Sequence, residues 1–430
     1  MILESILTVS IFIVTLVLIF SDKINRSIAA LGGAVLMVLT GLILGFYSEE
    51  EAVATLDTNT LGLLLGMMML VALLEPTGFF QYLAVWVARL SKGHPVRLLV
   101  LLGAVTSLVS MFLDNVTTVV LIAPVTILIC EIMGLNPQPF LISEALLSDT
   151  AGVATLVGDP PNVLIASAAD FSFVDFLTHS LPIVVVVWFV ALLTIRLLFR
   201  KDLAATPEYP DAILELKPDE ALKDRKAAIK VLYVIGGAIL LFLLEEILHI
   251  SPAFIALGAA AAGLLLIQPD IKVLLKRIEW DVLLFFGALF IMVGGMEQAG
   301  VMGAFSTLFT MGKGLSPVVL GLILLWVVAI ASAFIDNIPI TIALIPVILN
   351  LASTGINPNP LWWALAFGAG FGGNGTIIGS TANVVVVSLS ERTRHPITAA
   401  TWNKRGLPVM LATCTAASIL YVLLYPWLSR

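Results

Sequence analysis

Apolar runs long enough to cross a bilayer recur along the whole chain, and nothing else in the sequence constrains the fold as strongly. A helix needs about 20 predominantly apolar residues to span the hydrocarbon core. Such runs fall at Ile2–Phe20, Ser27–Phe46, Thr60–Leu74, Phe140–Ala168 and Leu177–Phe199. A second set falls at Ile229–Leu248, Pro252–Ile267, Val282–Met296, Leu361–Leu389 and Leu407–Trp427. With 60% hydrophobic and 12% charged residues, against about 25% charged in soluble domains, no water-soluble fold could cover this surface. The expectation is an all-α polytopic membrane protein whose main partner is the lipid bilayer. Ile6 to Phe20 lacks a basic leader and a small-residue cleavage site, so it reads as a span and not as a signal peptide.

Two longer runs, Val96–Ile132 and Pro317–Leu351, are each interrupted by Asp-Asn. Each has length for about one and a half crossings. They are expected to be re-entrant hairpins with a polar tip at mid-membrane. Phe79–Leu90 and Met302–Met311 are expected to lie along the interface.

The basic residues orient this layout. With the N-terminus outside and five crossings plus one hairpin per half, every Lys and Arg of the 22 except Lys313 and Arg430 falls on inner segments. The outer loop after the second span instead reads Ser48-Glu49-Glu50-Glu51. This is the positive-inside asymmetry. Both termini are expected outside, in a multi-pass inner-membrane protein, with the polar segment 201–227 cytoplasmic.

The two halves repeat. Asp114-Asn115 and Asp336-Asn337 are 222 residues apart, as are Glu75 and Glu297, Gly78 and Gly300, and Pro124 and Pro346. An offset of 221 relates Gly152 to Gly373, Thr155 to Thr376, Gly158 to Gly379 and Asn162 to Asn383. An odd number of crossings per copy makes the repeats inverted, the usual architecture of secondary transporters. The expected division is an N-terminal repeat over 1–200, a linker over 201–227 and a C-terminal repeat over 228–430.

The chemistry concentrates in these repeated motifs. An ionised Asp at mid-membrane costs roughly 2.5–3.5 kcal/mol on insertion scales, so it persists only where water, an ion or a partner meets it. Asn and Thr add neutral donors and acceptors, and an unwound tip adds free backbone groups. The Gly-rich stretches Asp149–Asn162 and Gly370–Asn383 should break their spans. Close packing of small residues would explain their glycines but not Asp159, Asn162, Asn374 or Asn383. No Walker pattern follows the glycines, which argues against ATP-driven pumping by this chain alone. Glu144 and Asp149 are further intramembrane acids. Glu75 and Glu297 read as chain anchors, and Glu245 with Glu246 as an outer interface pair. Cys130 and Cys414 and the four His suggest neither disulfide nor metal site. No cofactor, no nucleic-acid partner and no catalytic cluster is expected, so the chain reads as a transporter and not an enzyme.

At these residues the chain resembles the ion transporter superfamily, specifically its ArsB/NhaD and citrate-transporter-like permeases. The Asp-Asn tips and Gly158-Asp-Pro-Pro-Asn162 carry the resemblance, in repeat order. It implies a scaffold bundle plus a transport domain holding two hairpins and two broken helices, in proteins that commonly form homodimers and sometimes work with a separate ATPase subunit. Carried over, Asp114, Asn115, Thr117, Gly158 and Asn162 would bind substrate with Asp336, Asn337, Thr376, Gly379 and Asn383. Asp114, Asp149 and Asp336 would couple protons. The second copy departs from the pattern, with Ser380-Thr-Ala for Asp-Pro-Pro and Pro339 for Thr117.

The dicarboxylate branch has Ser-Asn-Thr-like tips, and here Asp replaces that Ser twice. An ionised Asp 4 Å from a substrate carboxylate costs about 4 kcal/mol at an effective dielectric of 20. The expected substrate is therefore a small inorganic solute exchanged against protons. Arsenite or antimonite export comes first and sodium/proton antiport second. A dicarboxylate or citrate symporter and the channel subunit of an ATP-driven pump remain alternatives.

Overall fold

The computed structural model describes residues 2–20, 24–209, 212–301 and 316–430. The expected interfacial stretch Met302–Met311 lies outside them. Among the described residues all regular structure is helical.

The first repeat contains α1 (Ile2–Phe20), α2 (Arg26–Leu44), α3 (Thr58–Leu74) and α4 (Phe79–Leu90). The first hairpin follows as α5 (Pro95–Ser110) and α6 (Asn115–Met133). Then come a broken span, α7 (Gln138–Gly152) with α8 (Pro160–Ala169), and α9 (Leu181–Leu198). The second repeat runs α10 (Arg225–Leu243), α11 (Pro252–Ile267) and α12 (Trp280–Gln298). Its hairpin is α13 (Pro317–Phe334) and α14 (Asn337–Ser353), its broken span α15 (Asn359–Gly372) and α16 (Thr381–Ser390), and its last span α17 (Ala399–Leu423). These are the two inverted repeats expected from the sequence, each with one hairpin and one broken helix.

The repeats do not pack as separate halves. α1–α3 pack with α10–α12 into one body, through α3 against α11 and α2 against α12. The hairpins and broken spans pack into the other, through α5 against α7, α13 against α15, α6 against α16 and α9 against α17. We call these the scaffold and the transport body. α7 and α15 are buried all round and form the centre of the transport body. The scaffold instead turns apolar side chains outward, Ile43 at 82% exposed and Leu265 at 76%, as lipid-facing positions require.

Local chemistry explains the breaks. Each hairpin's second arm starts on its aspartate as N-cap: Asp114 Oδ1 accepts the Thr117 N–H at 2.8 Å, and Asp336 Oδ1 that of Ile338 at 3.3 Å. Such a cap is worth about 1 kcal/mol. In the broken spans, Pro160 and Pro161 open α8, where a helix tolerates proline, and Ser380 caps α16 through the Ala382 N–H at 3.3 Å. Asn162 Nδ2 closes the first break by donating to the carbonyls of Gly152 and Thr155 at 3.0 and 2.7 Å. Asn383 does the same to Gly373 and Thr376 at 2.9 and 3.0 Å.

Candidate functional site

The two hairpins belong to the two inverted repeats, and both tips end at one cavity of about 100 Å³. Its walls carry Asp114, Asn115, Thr117, Asp159, Asp336, Asn337, Ser380 and Thr381 from the transport body. Arg26, Glu75, Arg277 and Glu279 come from the scaffold. The scaffold residues sit at helix ends on one face of the protein, which we call the basic face, and the cavity runs inward from there.

Two asparagines of the wall hold two carboxyl groups, one in the wall and one directly behind it. Asn115 Nδ2 donates to Asp149 Oδ1 at 2.8 Å. Asn337 Nδ2 donates to Asp159 Oδ2 at 3.0 Å. Asn115 and Asn337 are repeat counterparts, but Asp149 and Asp159 are not. The counterpart of Asp159 is Ser380, and that of Asp149 is Gly370. Ser380 does reach the equivalent place, and there it donates to Asp149 Oδ1 at 3.1 Å. The carboxylate that the second repeat lacks at 380 is thus supplied by the first repeat from Asp149. Each asparagine keeps one acid partner while the sequence symmetry is broken. The second oxygen of Asp149 is buried without a hydrogen-bond partner, and Asp159 lies within electrostatic reach of Asp149, Asp336 and Asp114.

The scaffold completes the site. Arg26 Nη1 pairs with Asp336 Oδ2 at 3.0 Å and also donates to Thr381 Oγ1 at 3.2 Å. Thr117 Oγ1 donates to Glu279 Oε1 at 3.1 Å. Glu75 pairs with Arg277 at 2.6 Å, so it does anchor the chain, but through a cation at the cavity mouth. The cavity wall holds five carboxylates, Glu75, Asp114, Asp159, Glu279 and Asp336, against the two guanidiniums. Glu75 and Asp336 are paired with guanidiniums, which leaves Asp114, Asp159 and Glu279 as carboxyl groups without a cationic partner in the wall.

The residues singled out from the sequence divide into two groups. Asp114, Asn115, Thr117, Asp336 and Asn337 line the cavity, and Asp149 stands directly behind it. Gly158, Asn162, Thr376, Gly379 and Asn383 build the turns beneath it. Thr155 and Thr376 donate their hydroxyls to the hairpin carbonyls of Met111 and Ala333. A Cβ on Gly158 would stand 2.8 Å from the Ser110 carbonyl oxygen, and one on Gly379 2.8 Å from that of Ser332. Glycine is required there because backbone crosses backbone. Arg26, Arg277, Glu279 and Thr381 were not among the candidates. In sequence the two arginines and Glu279 look like ordinary loop charges, and only Ser380-Thr381, as a departure from the repeat, carried a signal. Glu144 is buried away from the cavity, against Thr126 Oγ1 at 2.5 Å.

The citrate transporter (CitMHS) family pattern matches residues 16–368 of this chain. A 46 kDa membrane protein of Mycobacterium leprae is 40% identical over 99% of this chain and 98% of its own length. An uncharacterized transporter of Mycobacterium tuberculosis is 38% identical over the same shares. The P protein of Homo sapiens is 32% identical over 93% of this chain, which spans 57% of the P protein. The crystal structure of the Alcanivorax borkumensis YdaH transporter has the same fold, with a TM-score of 0.64, 15% identity and 99% and 98% of the two chains covered. A match over most of the length, with relatives above 30% identity alongside it, places this multi-pass protein among the membrane transporters of the ion transporter superfamily, and the chain belongs to the citrate transporter (CitMHS) family.

Proposed function

We propose that the protein is a proton-coupled secondary transporter that exports arsenite or antimonite across the inner membrane, as the ArsB-type members of the superfamily do. The observation that carries this reading is the pair of acids, Asp159 in the wall of a carboxyl-rich cavity and Asp149 directly behind it, each held by one hairpin asparagine. An undissociated trihydroxide donates hydrogen bonds to such carboxylates and accepts them from amide groups. It carries no charge for the cavity to repel. A free citrate anion would meet several kcal/mol of repulsion per close carboxylate pair. A compact solute also suits a cavity of this volume, since a water occupies about 30 Å³ of liquid.

In this reading the basic face is cytoplasmic and both termini lie outside. Solute enters from the cytoplasm and binds between the hairpin tips. The transport body, taken as residues of both the 1–200 and 228–430 repeats, moves against the scaffold to expose the site outside. Protons then take the place of the solute's hydrogen-bond donors on Asp114, Asp149 or Asp336 and ride back. A carboxyl group that has taken a proton has lost acceptor capacity, so proton and solute exclude one another.

Sodium/proton exchange is the second reading, favoured by the buried and unpartnered Oδ2 of Asp149 behind the cavity, which a small cation would satisfy. Everted vesicles with an imposed pH gradient, offered arsenite, sodium and citrate in turn, separate the readings. Arsenite uptake that collapses with the gradient supports the first. Uptake of citrate alone, or arsenite flux indifferent to the gradient, overturns it.

A further inference from the structure

On the face opposite the basic one lies a second cavity, of about 700 Å³, between the scaffold and the transport body. Its walls include Asp170, Asp175, Glu245, Glu246 and His249. Glu245 heads the four-residue helix Glu245–Leu248 that follows α10 in the scaffold. Its side chain is shielded from solvent there, the residue being only 6% exposed. Glu245 Oε1 accepts the Phe173 backbone N–H at 2.8 Å, from the loop of the transport body just past α8. Its Oε2 is buried and has no partner. The same loop is gripped again one residue earlier, with Ser172 Oγ 2.7 Å from Glu246 Oε1.

Counting hydrogens shows that the grip is one proton short. Ser172 Oγ also lies 2.9 Å from Asp175 Oδ2, while accepting the Asp175 N–H at 3.1 Å. A serine hydroxyl has one hydrogen to donate. It cannot satisfy two ionised carboxylates, so both contacts are hydrogen bonds only if one carboxyl carries a proton. Asp175 Oδ2 already accepts the Ser172 N–H at 2.8 Å, whereas the buried Glu245 Oε2 has no donor at all, so the unfilled place for a proton in this cluster is at Glu245. The other titratable groups facing the cluster are Asp170 and His249 on the same cavity. His179 and Arg430 lie beyond Asp175 and Asp170, in an adjoining hollow. α3 and α11 contribute only neutral groups there: Asn59, Thr60, Leu63 and Pro252.

We propose that Glu245, Glu246 and Asp175 form a proton-binding site, distinct from the substrate cavity, that fastens the transport body to the scaffold on the acidic face. The sign follows from burial. With the clasp closed, the Glu245 carboxyl is pushed up to about 7, by desolvation first and by the charges of Glu246 and Asp175 against the Phe173 hydrogen bond. With the clasp open, solvent restores an ordinary carboxylate near 4.3. Between these values the closed form holds a proton that the open form lacks, so acidification through that window favours closure and rising pH favours opening. Protons outside would thereby drive the protein toward the state that opens on the basic face.

The test needs no substrate and so stands apart from the proposed cargo. Spin labels on Ile247→Cys in the scaffold and Thr178→Cys in the transport body, both at exposed positions, report the clasp distance in reconstituted full-length protein by double electron–electron resonance. The short-distance population is expected to grow severalfold from about pH 8 to about pH 6. Glu245→Gln should fix it near its low-pH level throughout. Glu246→Gln, which removes a charge that raises Glu245, should move the transition to lower pH. A wild-type distribution that ignores pH overturns the proposal, as does Glu245→Gln tracking the wild type. If Glu245→Gln does not fold, an unmoved transition in Glu246→Gln overturns it instead.

Discussion

Asp149 accepts a hydrogen bond from Ser380 at 3.1 Å, and Ser380 stands where the first repeat has Asp159. The two inverted copies have therefore diverged without losing the one-acid-per-asparagine arrangement. An acid at both 149 and 380 would crowd two carboxylates, costing about 4 kcal/mol at 4 Å and an effective dielectric of 20. A single acid serves both Asn115 and Ser380.

This relationship predicts a rescue. Ser380→Asp alone should cut transport at least about tenfold through like-charge repulsion with Asp149. Asp149→Ala alone should do so by leaving Asn115 without its acceptor. The double variant Asp149→Ala with Ser380→Asp restores the symmetric pattern, and it should recover a large part of the activity in vesicle flux assays. Equal loss in all three variants would show that position, and not acid count, is what matters.

Asp114→Asn and Asp336→Asn separate charge from capping. Asparagine is as good an N-cap as aspartate, so both variants should insert, fold and melt within about 1 kcal/mol of the wild type. Their proton-coupled exchange should nonetheless be lost. Full-rate exchange against a pH gradient in either variant would remove that residue from the coupling step.

Arg26→Gln removes the scaffold's hold on Asp336 and Thr381. Both partners of the ion pair are about a quarter exposed, so the stability loss should be modest, about 1 kcal/mol. The larger effect is expected on transport, because the pair ties the scaffold to the hairpin tip. Thermal melting compared with initial flux rates checks this: a large drop in melting temperature with unchanged flux would be the contrary result.

Gly158→Ala and Gly379→Ala should each destabilise the transport body by about 1–3 kcal/mol, since a Cβ at either position meets a hairpin carbonyl at 2.8 Å. Reduced yield and a lower melting temperature in detergent are the readouts. Gly236→Ala is the control, because nothing lies within 4 Å of a Cβ there.

The architecture was legible because it rests on local and periodic signals. Runs of apolar residues set the spans, Asp-Asn interruptions set the hairpin tips, and glycine and proline set the helix breaks. The 221-residue offset recovered Asn162 and Asn383 as counterparts but cast them as substrate-binding residues, and their donation to backbone carbonyls of the broken spans became visible only in three dimensions. Arg26 and Glu279 were illegible as site residues for a physical reason. A charge at a helix end obeys the positive-inside rule or caps a helix equally well, and its sequence neighbours do not reveal what faces it across a cavity.

The sequence by itself determined that this chain lives in a bilayer, that it is built twice over in opposite senses, and that acids and amides meet at the hairpin tips. Those features follow from hydrophobic period, length and repeat spacing, which are properties of the chain alone. Only the tertiary structure decided which acid meets which amide, that Asp149 supplies the acid missing at position 380, and that Glu245 reaches the Phe173 amide on the opposite face. These partners lie from 34 to 231 residues apart in the chain, some within the transport body and some between it and the scaffold, and no local pattern encodes the contacts.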